Sequence, residues 1–122
     1  MQFLIIEDQP EIMRAVKRLA VRLGHRAGGA IDSREAIELA DQLDHIDVVV
    51  ADVVLGGGEL GTEVVETIRE RHPDCAVVFM SGHDRQHLKK VDPQMRSVFL
   101  RKPFSTRDFV AAVEDACIPV DR

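Results

Sequence analysis

His45-Ile46-Asp47-Val48-Val49-Val50-Ala51-Asp52 is the stretch whose reading decides the fold: an apolar run that ends in a carboxylate and leads into Gly56-Gly57-Gly58. Nothing polar interrupts it from Val48 to Ala51, which suits a strand covered on both faces, as at the centre of a parallel sheet. Asp52 then sits at the strand's carboxyl end, the edge where open α/β sheets bind ligands. An acid that merely begins a turn fits the same residues equally well. The rest of the chain must decide between a turn acid and a reactive carboxylate.

Upstream, Gln2-Phe3-Leu4-Ile5-Ile6 is a similar run, and it ends in Glu7 and Asp8. Pro10 suits the first turn of a helix in which Ile12, Ala15, Val16, Leu19 and Leu23 recur at helical spacing until Gly24 supplies a cap. A short strand over 26–31, diluted by Gly28 and Gly29, would keep strands and helices alternating. Asp32-Ser33-Arg34-Glu35 resembles a capping box, and Ala36, Ile37, Leu39, Ala40 and Leu43 give the helix after it a buried face. Downstream of Asp52 the glycines demand a flexible loop, and Val64, Val65 and Ile68 mark a third helix over 62–71. Cys75-Ala76-Val77-Val78-Phe79-Met80 is the next apolar run and ends in Ser81-Gly82. The segment 84–91 reads as a short polar helix closed by Asp92-Pro93. Ser97-Val98-Phe99-Leu100 is a fifth strand, leading into Lys102-Pro103-Phe104. Ser105-Thr106-Arg107-Asp108 then caps a helix that buries Phe109, Ala112, Val113 and Ala116. Five strands alternating with five helical segments predict an α/β fold, a parallel sheet with helices on both faces.

The 122 residues suit a single domain over 1–122, with one sizeable core and no room for a second. Apolar residues at 45% and charged residues at 30% describe a soluble globular chain and exclude a disordered tail. Phe3-Leu4-Ile5-Ile6 is too short for a signal peptide, and no run approaches the roughly 20 apolar residues of a membrane span, so a cytoplasmic protein without a membrane partner is expected. A formal charge of -5 argues against direct nucleic-acid binding. Cys75 and Cys117 lack CxxC spacing and read as reduced, half-buried thiols. His25, His45, His72, His83 and His87 form no metal set and read as solvent-exposed.

In a parallel sheet all carboxyl ends share one edge, which gathers Glu7, Asp8, Asp52 and Ser81, with Lys102 just beyond the fifth strand. Three converging carboxylates repel one another, and a divalent cation with oxygen ligands relieves the repulsion; Mg2+ is the expected ion. A hard cation, an ammonium and a hydroxyl around one carboxylate suit stabilisation of the equatorial oxygens of a transferred phosphoryl group. Asp52 would be the nucleophile, because an aspartyl phosphate forms directly from a carboxylate. Each residue has a plainer reading: Glu7 and Asp8 as helix caps, Lys102 as a surface lysine, Ser81 as a turn residue. Their joint placement on one edge favours the site.

The acidic pair Glu7-Asp8, Asp52 at the end of its apolar strand, Ser81 after Phe79-Met80, and Lys102-Pro103-Phe104 together resemble a receiver domain of a two-component response regulator, from Phe3 to Cys117. The resemblance implies a flavodoxin-like three-layer sandwich with a five-stranded parallel sheet and five helices. It implies a phosphoryl group accepted on Asp52 from a histidine kinase or histidine phosphotransfer protein, and catalysis limited to the domain's own phosphorylation and dephosphorylation. Mg2+ would be held by Glu7, Asp8, Asp52 and the backbone carbonyl of Val54. Ser81 would hydrogen-bond the phosphoryl group, Lys102 would pair with it, and Phe99 would act with Ser81 as a switch. Val54 and His83 match positions that influence how long the phosphoryl group lasts. A downstream protein would bind the altered surface around the fourth helix, fifth strand and fifth helix. No output domain is expected in this chain, which suits a stand-alone regulator or a fragment of a hybrid kinase. Gly56 stands where the family usually has proline, and Phe99 lacks the hydroxyl of the more familiar tyrosine. Gly61, nine residues after Asp52, together with Met80-Ser81-Gly82 and Asp92-Pro93, is similar to receivers attached to hybrid histidine kinases.

Two other functions fit less well. A small Mg2+-dependent phosphatase working through an aspartyl phosphate would need a second catalytic acid and a substrate cap, and Asp52-Val53-Val54 lacks the DxD spacing. A flavin-binding domain of this fold would need stacking residues, yet the chain has no Trp or Tyr and no phosphate loop after its first strand.

Overall fold

Each apolar run becomes a strand: β1 Gln2–Ile6, β2 Arg26–Ala30, β3 Val48–Asp52, β4 Ala76–Ser81 and β5 Ser97–Arg101. The computed structural model describes residues 1–82 and 97–117. The helix expected over 84–91, the Asp92-Pro93 turn and His83 lie outside the described residues. All strand pairings are parallel, in the order β2-β1-β3-β4-β5. Connections from β1 and β3 leave in opposite directions, so a crevice opens at the carboxyl ends of these two strands.

Four helices are seen among the described residues: α1 Pro10–Arg22, α2 Ser33–Gln42, α3 Gly61–Arg71 and α4 Thr106–Cys117. The apolar runs show no polar alternation because both faces of the sheet are covered, yet their side chains still alternate. Phe3, Ile5, Val48, Val50 and Val78 meet Met13, Val16 and Ala20 of α1 and Phe109, Ala112 and Val113 of α4. Leu4, Ile6, Val49, Ala51, Val77 and Phe79 meet Ala36 and Ala40 of α2 and Val64, Val65 and Ile68 of α3. The result is a three-layer sandwich with β3 buried along its whole length.

Local signals set the helix ends. The Asp32 carboxylate accepts the Glu35 N–H at 2.9 Å, while Glu35 reaches back to the Ile31 N–H at 3.0 Å, one residue before the usual partner. Ser105 and Asp108 form a reciprocal box at 3.1 and 3.2 Å. Gly24, at φ +92°, ends α1 in the left-handed conformation that glycine adopts without strain.

Some expectations need correction. The buried stripe of α1 runs through Met13, Val16 and Ala20, with Ala15 exposed, because contact with the sheet selects a narrower face than the apolar spacing suggests. Both cysteines are free, but Cys75 is buried and Cys117 exposed. His25 stacks on Phe3 with centroids 4.8 Å apart, and the His72 ring nitrogen lies 2.8 Å from the Ala40 carbonyl. Neither is a plain solvent histidine, since an imidazole offers both a flat face and a polar edge. Among the described residues, no helix is long and apolar enough to cross a membrane.

Candidate functional site

Glu7 continues the line of β1, its N–H donating to the Ala30 carbonyl at 3.0 Å, and it is fully buried. A carboxylate withdrawn from water must find donors in the protein. Glu7 accepts from the Gln9 N–H at 3.0 Å and from the Lys102 Nζ at 2.8 Å. The same ammonium donates to Oδ2 of Asp52, the last residue of β3, at 3.0 Å. Asp52 is itself 8% exposed, so the lysine bridges two buried acids from neighbouring strands. Half-buried Asp8 completes the group: carboxylate oxygens of Glu7, Asp8 and Asp52 lie within 4.8 Å of one another.

Burial pushes the Glu7 carboxyl above the ordinary glutamate value; hydrogen bonds from Lys102 and the Gln9 N–H offset only part of this, and the nearby Asp52 charge adds to it. For Lys102, burial works downward, but the hydrogen bonds and charges of Glu7 and Asp52 outweigh it and hold the ammonium above the ordinary lysine value. Lys102 is therefore a firmly charged cation facing an excess of negative charge.

The backbone fixes these side chains in place. Lys102 N–H donates to the Ser81 carbonyl at 2.8 Å, which ties the lysine to the end of β4, where Ser81 is half-buried and opposite Arg101 in register. Val53 N–H donates to the Met80 carbonyl at 2.9 Å, and Val54 N–H lies 3.4 Å from the Asp52 Oδ1. Val54 is exposed and pairs with Leu60 in an isolated antiparallel bridge.

The loop expected to be flexible is closed by hydrogen bonds at its base: Leu55 N–H to the Glu59 carbonyl at 2.7 Å and Gly61 N–H to the Val53 carbonyl at 2.8 Å. Gly56–Gly58 is a tight turn and not a regular helix, with Gly57 at φ +77° and Gly58 at φ +84°. Two further glycines serve the site by absence of a side chain. A Cβ on Gly56 would stand 2.7 Å from the Asp8 Oδ2, and one on Gly61 would stand 1.8 Å from the Asp52 carbonyl oxygen. The sequence marks Gly61 only by its distance from Asp52, since close approach of two segments leaves no local signature.

Phe99 is 40% exposed, with its ring stacked on buried Phe79 at 5.7 Å. Strand alternation turns Leu100, not Phe99, toward α4. Of the residues singled out from the sequence, Glu7, Asp8, Asp52 and Lys102 come together, Ser81 and Val54 flank them, and His83 lies outside the described residues.

A parallel sheet in the order 2-1-3-4-5, with a charged centre where its strand order reverses, defines a flavodoxin-like α/β protein. The chain belongs to the response regulator receiver domain family, whose model matches residues 3–114. It is similar to the sensor kinase CckA of Brucella abortus, 27% identical over 114 residues that make up 92% of this chain and 12% of that protein. It is also similar to the phyllosphere-induced regulator PhyR of Methylorubrum extorquens, 27% identical over 116 residues, 94% of this chain and 43% of the relative. The chain thus spans less than half the length of these two relatives. Among solved structures, a response regulator receiver protein from Sinorhizobium medicae shares the fold with a TM-score of 0.83 at 24% identity, covering 96% of this chain and 94% of that one. The receiver domain of the hybrid histidine kinase CckA gives 0.77 at 24% identity, covering 97% and 100%.

Proposed function

We propose that residues 1–122 act as one receiver unit that accepts a phosphoryl group on Asp52 from a histidine kinase or histidine phosphotransfer protein. The observation that carries this reading is the Lys102 ammonium held between Glu7 and Asp52, 2.8 and 3.0 Å away, at the carboxyl edge of the sheet. In the transfer an Asp52 carboxylate oxygen bonds to phosphorus, the bond to the donor histidine nitrogen breaks, and that nitrogen keeps the electron pair. In hydrolysis a water oxygen bonds to phosphorus, and Asp52 leaves as the free carboxylate with inorganic phosphate as the product. Lys102 already donates to Asp52, so its charge stands where phosphoryl oxygens would gather.

The donor set is made of hard carboxylate oxygens within 4.8 Å of one another, which fits Mg2+. Glu7, Asp8, Asp52 and the Val54 carbonyl would hold the ion, which when bound supplies charge neutralisation for the carboxylates and the phosphoryl oxygens. Ser81, at the end of β4, would hydrogen-bond the phosphoryl group. The outward ring of Phe99 would turn inward as Ser81 moves, so phosphorylation would shift the population toward a conformer with a different partner surface. A downstream protein would read that surface, with no direct contact to nucleic acid or membrane, in the cytoplasm. Val54 and His83 would set the lifetime of the phosphoryl group. Catalysis is confined to the domain's own phosphorylation state.

The test is incubation with Mg2+ and acetyl phosphate followed by intact-mass measurement. A phosphoryl adduct is expected on the wild type and none on Asp52→Asn. Equal yield on both overturns the assignment.

A further inference from the structure

Glu59 follows the three glycines, and its carboxylate reaches across to the first residue of α2. It accepts the Ser33 hydroxyl at 2.5 Å and the Ser33 N–H at 3.2 Å. The first N–H groups of a helix lack partners within it, and an anion there is favoured by the helix dipole. Two acids divide this terminus: Asp32 takes the Glu35 N–H, and Glu59 takes Ser33. Hydrogen bonds to a carboxylate are the stronger kind, and this pair ties the loop over 53–61 to the first residue of α2, which follows β2 at the same edge of the sheet. The glycine tip, two of whose residues have positive φ, supplies little stiffness of its own. One flank of the loop presses Gly56 against Asp8, and the other presses Gly61 against the Asp52 backbone.

We propose that Glu59 is a positioning residue: its bonds to Ser33 hold the loop against Asp8 and Asp52, and so fix the geometry of the acidic centre and limit the entry of water to it. The functional part rests on the phosphoacceptor reading; the tether itself does not.

Amide hydrogen exchange tests the tether. In Glu59→Ala, the Leu55 and Gly61 amides should exchange about tenfold faster or more, with β1 amides unchanged. Ser33→Ala removes one of two donors and should give a smaller acceleration, and it should add nothing in the Glu59→Ala background. On the same variants, the dissociation constant for Mg2+ measured by calorimetry should rise several-fold, and the phosphoryl half-life after removal of acetyl phosphate should shorten several-fold. A merely structural glutamate would lower the melting temperature while leaving the Mg2+ constant and the half-life unchanged well below melting, and that result overturns the positioning role. Unchanged Leu55 exchange in Glu59→Ala, or additive effects of the two substitutions, overturns the tether. A wild type that takes neither Mg2+ nor phosphoryl defeats the phosphoacceptor reading instead, and exchange alone then decides whether Glu59 holds the loop.

Discussion

Asp47 and Asp52 flank one apolar strand, and their surroundings are opposed. At the amino edge, the two carboxylate oxygens of Asp47 each have a partner: the Gln2 N–H at 2.7 Å and the His45 Nε2 at 2.6 Å. Its backbone bonds to Gln2 on one side and Ala76 on the other, so the residue stitches the start of β3 to both neighbouring strands. Burial alone would raise its carboxyl, but the Gln2 N–H and the His45 ring outweigh it and hold the group below the ordinary aspartate value. At the carboxyl edge, one ammonium is shared by two buried acids, with a third close by. Residue type and strand are the same; the balance of donors and acceptors differs. Asp47 is matched and structural. Asp52 stands in an excess of negative charge that favours a cation.

Gly61→Ala should give the largest effect, because it strikes the carboxyl edge through the backbone. The added Cβ would overlap the Asp52 carbonyl oxygen, and neither partner is a flexible side chain that can yield. Chemical denaturation should show a loss of about 3 kcal/mol or more. A loss no larger than that of Gly57→Ala, where only backbone strain opposes the side chain, would show that the two segments separate easily. Asp47→Ala comes next, with a loss of about 1–2 kcal/mol from the missing hydrogen bonds. Its phosphoryl adduct should form at wild-type yield, and an adduct lost as completely as in Asp52→Asn would erase the distinction between the two acids.

The smallest effect lies in the pH dependence of stability, where the two edges should have opposite signs. Asp47 is depressed on folding, so its contribution is present above the ordinary aspartate value near 3.8 and is lost as pH falls through the lower folded value. Glu7 is raised on folding, so the folded state holds its proton more tightly, and stability declines as pH rises from the ordinary glutamate value near 4.5 through the raised one. In denaturation curves recorded without divalent cations, Asp47→Asn should flatten the acid limb below about pH 4, and Glu7→Gln should remove the decline above 4.5. Identical profiles for the two variants would mean that the edges do not differ in this respect.

Much of the fold was legible in residues 2–6, 48–52 and 76–81, because a strand covered on both faces must be apolar throughout. The ends of α2 and α4 were legible in Asp32-Ser33-Arg34-Glu35 and Ser105-Thr106-Arg107-Asp108, since capping is settled within four residues. The exposure of Phe99 was not legible, because an apolar residue in an apolar strand carries no mark of which face its neighbours leave uncovered. The hydrogen-bonded base of the glycine loop was hidden for the same kind of reason: glycine content reports freedom, and the bonds that remove it come from Val53, Leu55 and Glu59.

The sequence by itself determined the alternation of strands and helices and, through chain direction, the edge on which the acids and the lysine fall. Both depend on local period and order along the chain. Only the tertiary structure decided the strand order, the complete burial of Glu7 beside half-buried Asp8, the sharing of Lys102 between Glu7 and Asp52, and the reach of Glu59 to Ser33. These last contacts join residues 95, 50 and 26 positions apart, and no local pattern encodes which distant side chain will supply a buried charge with its partner.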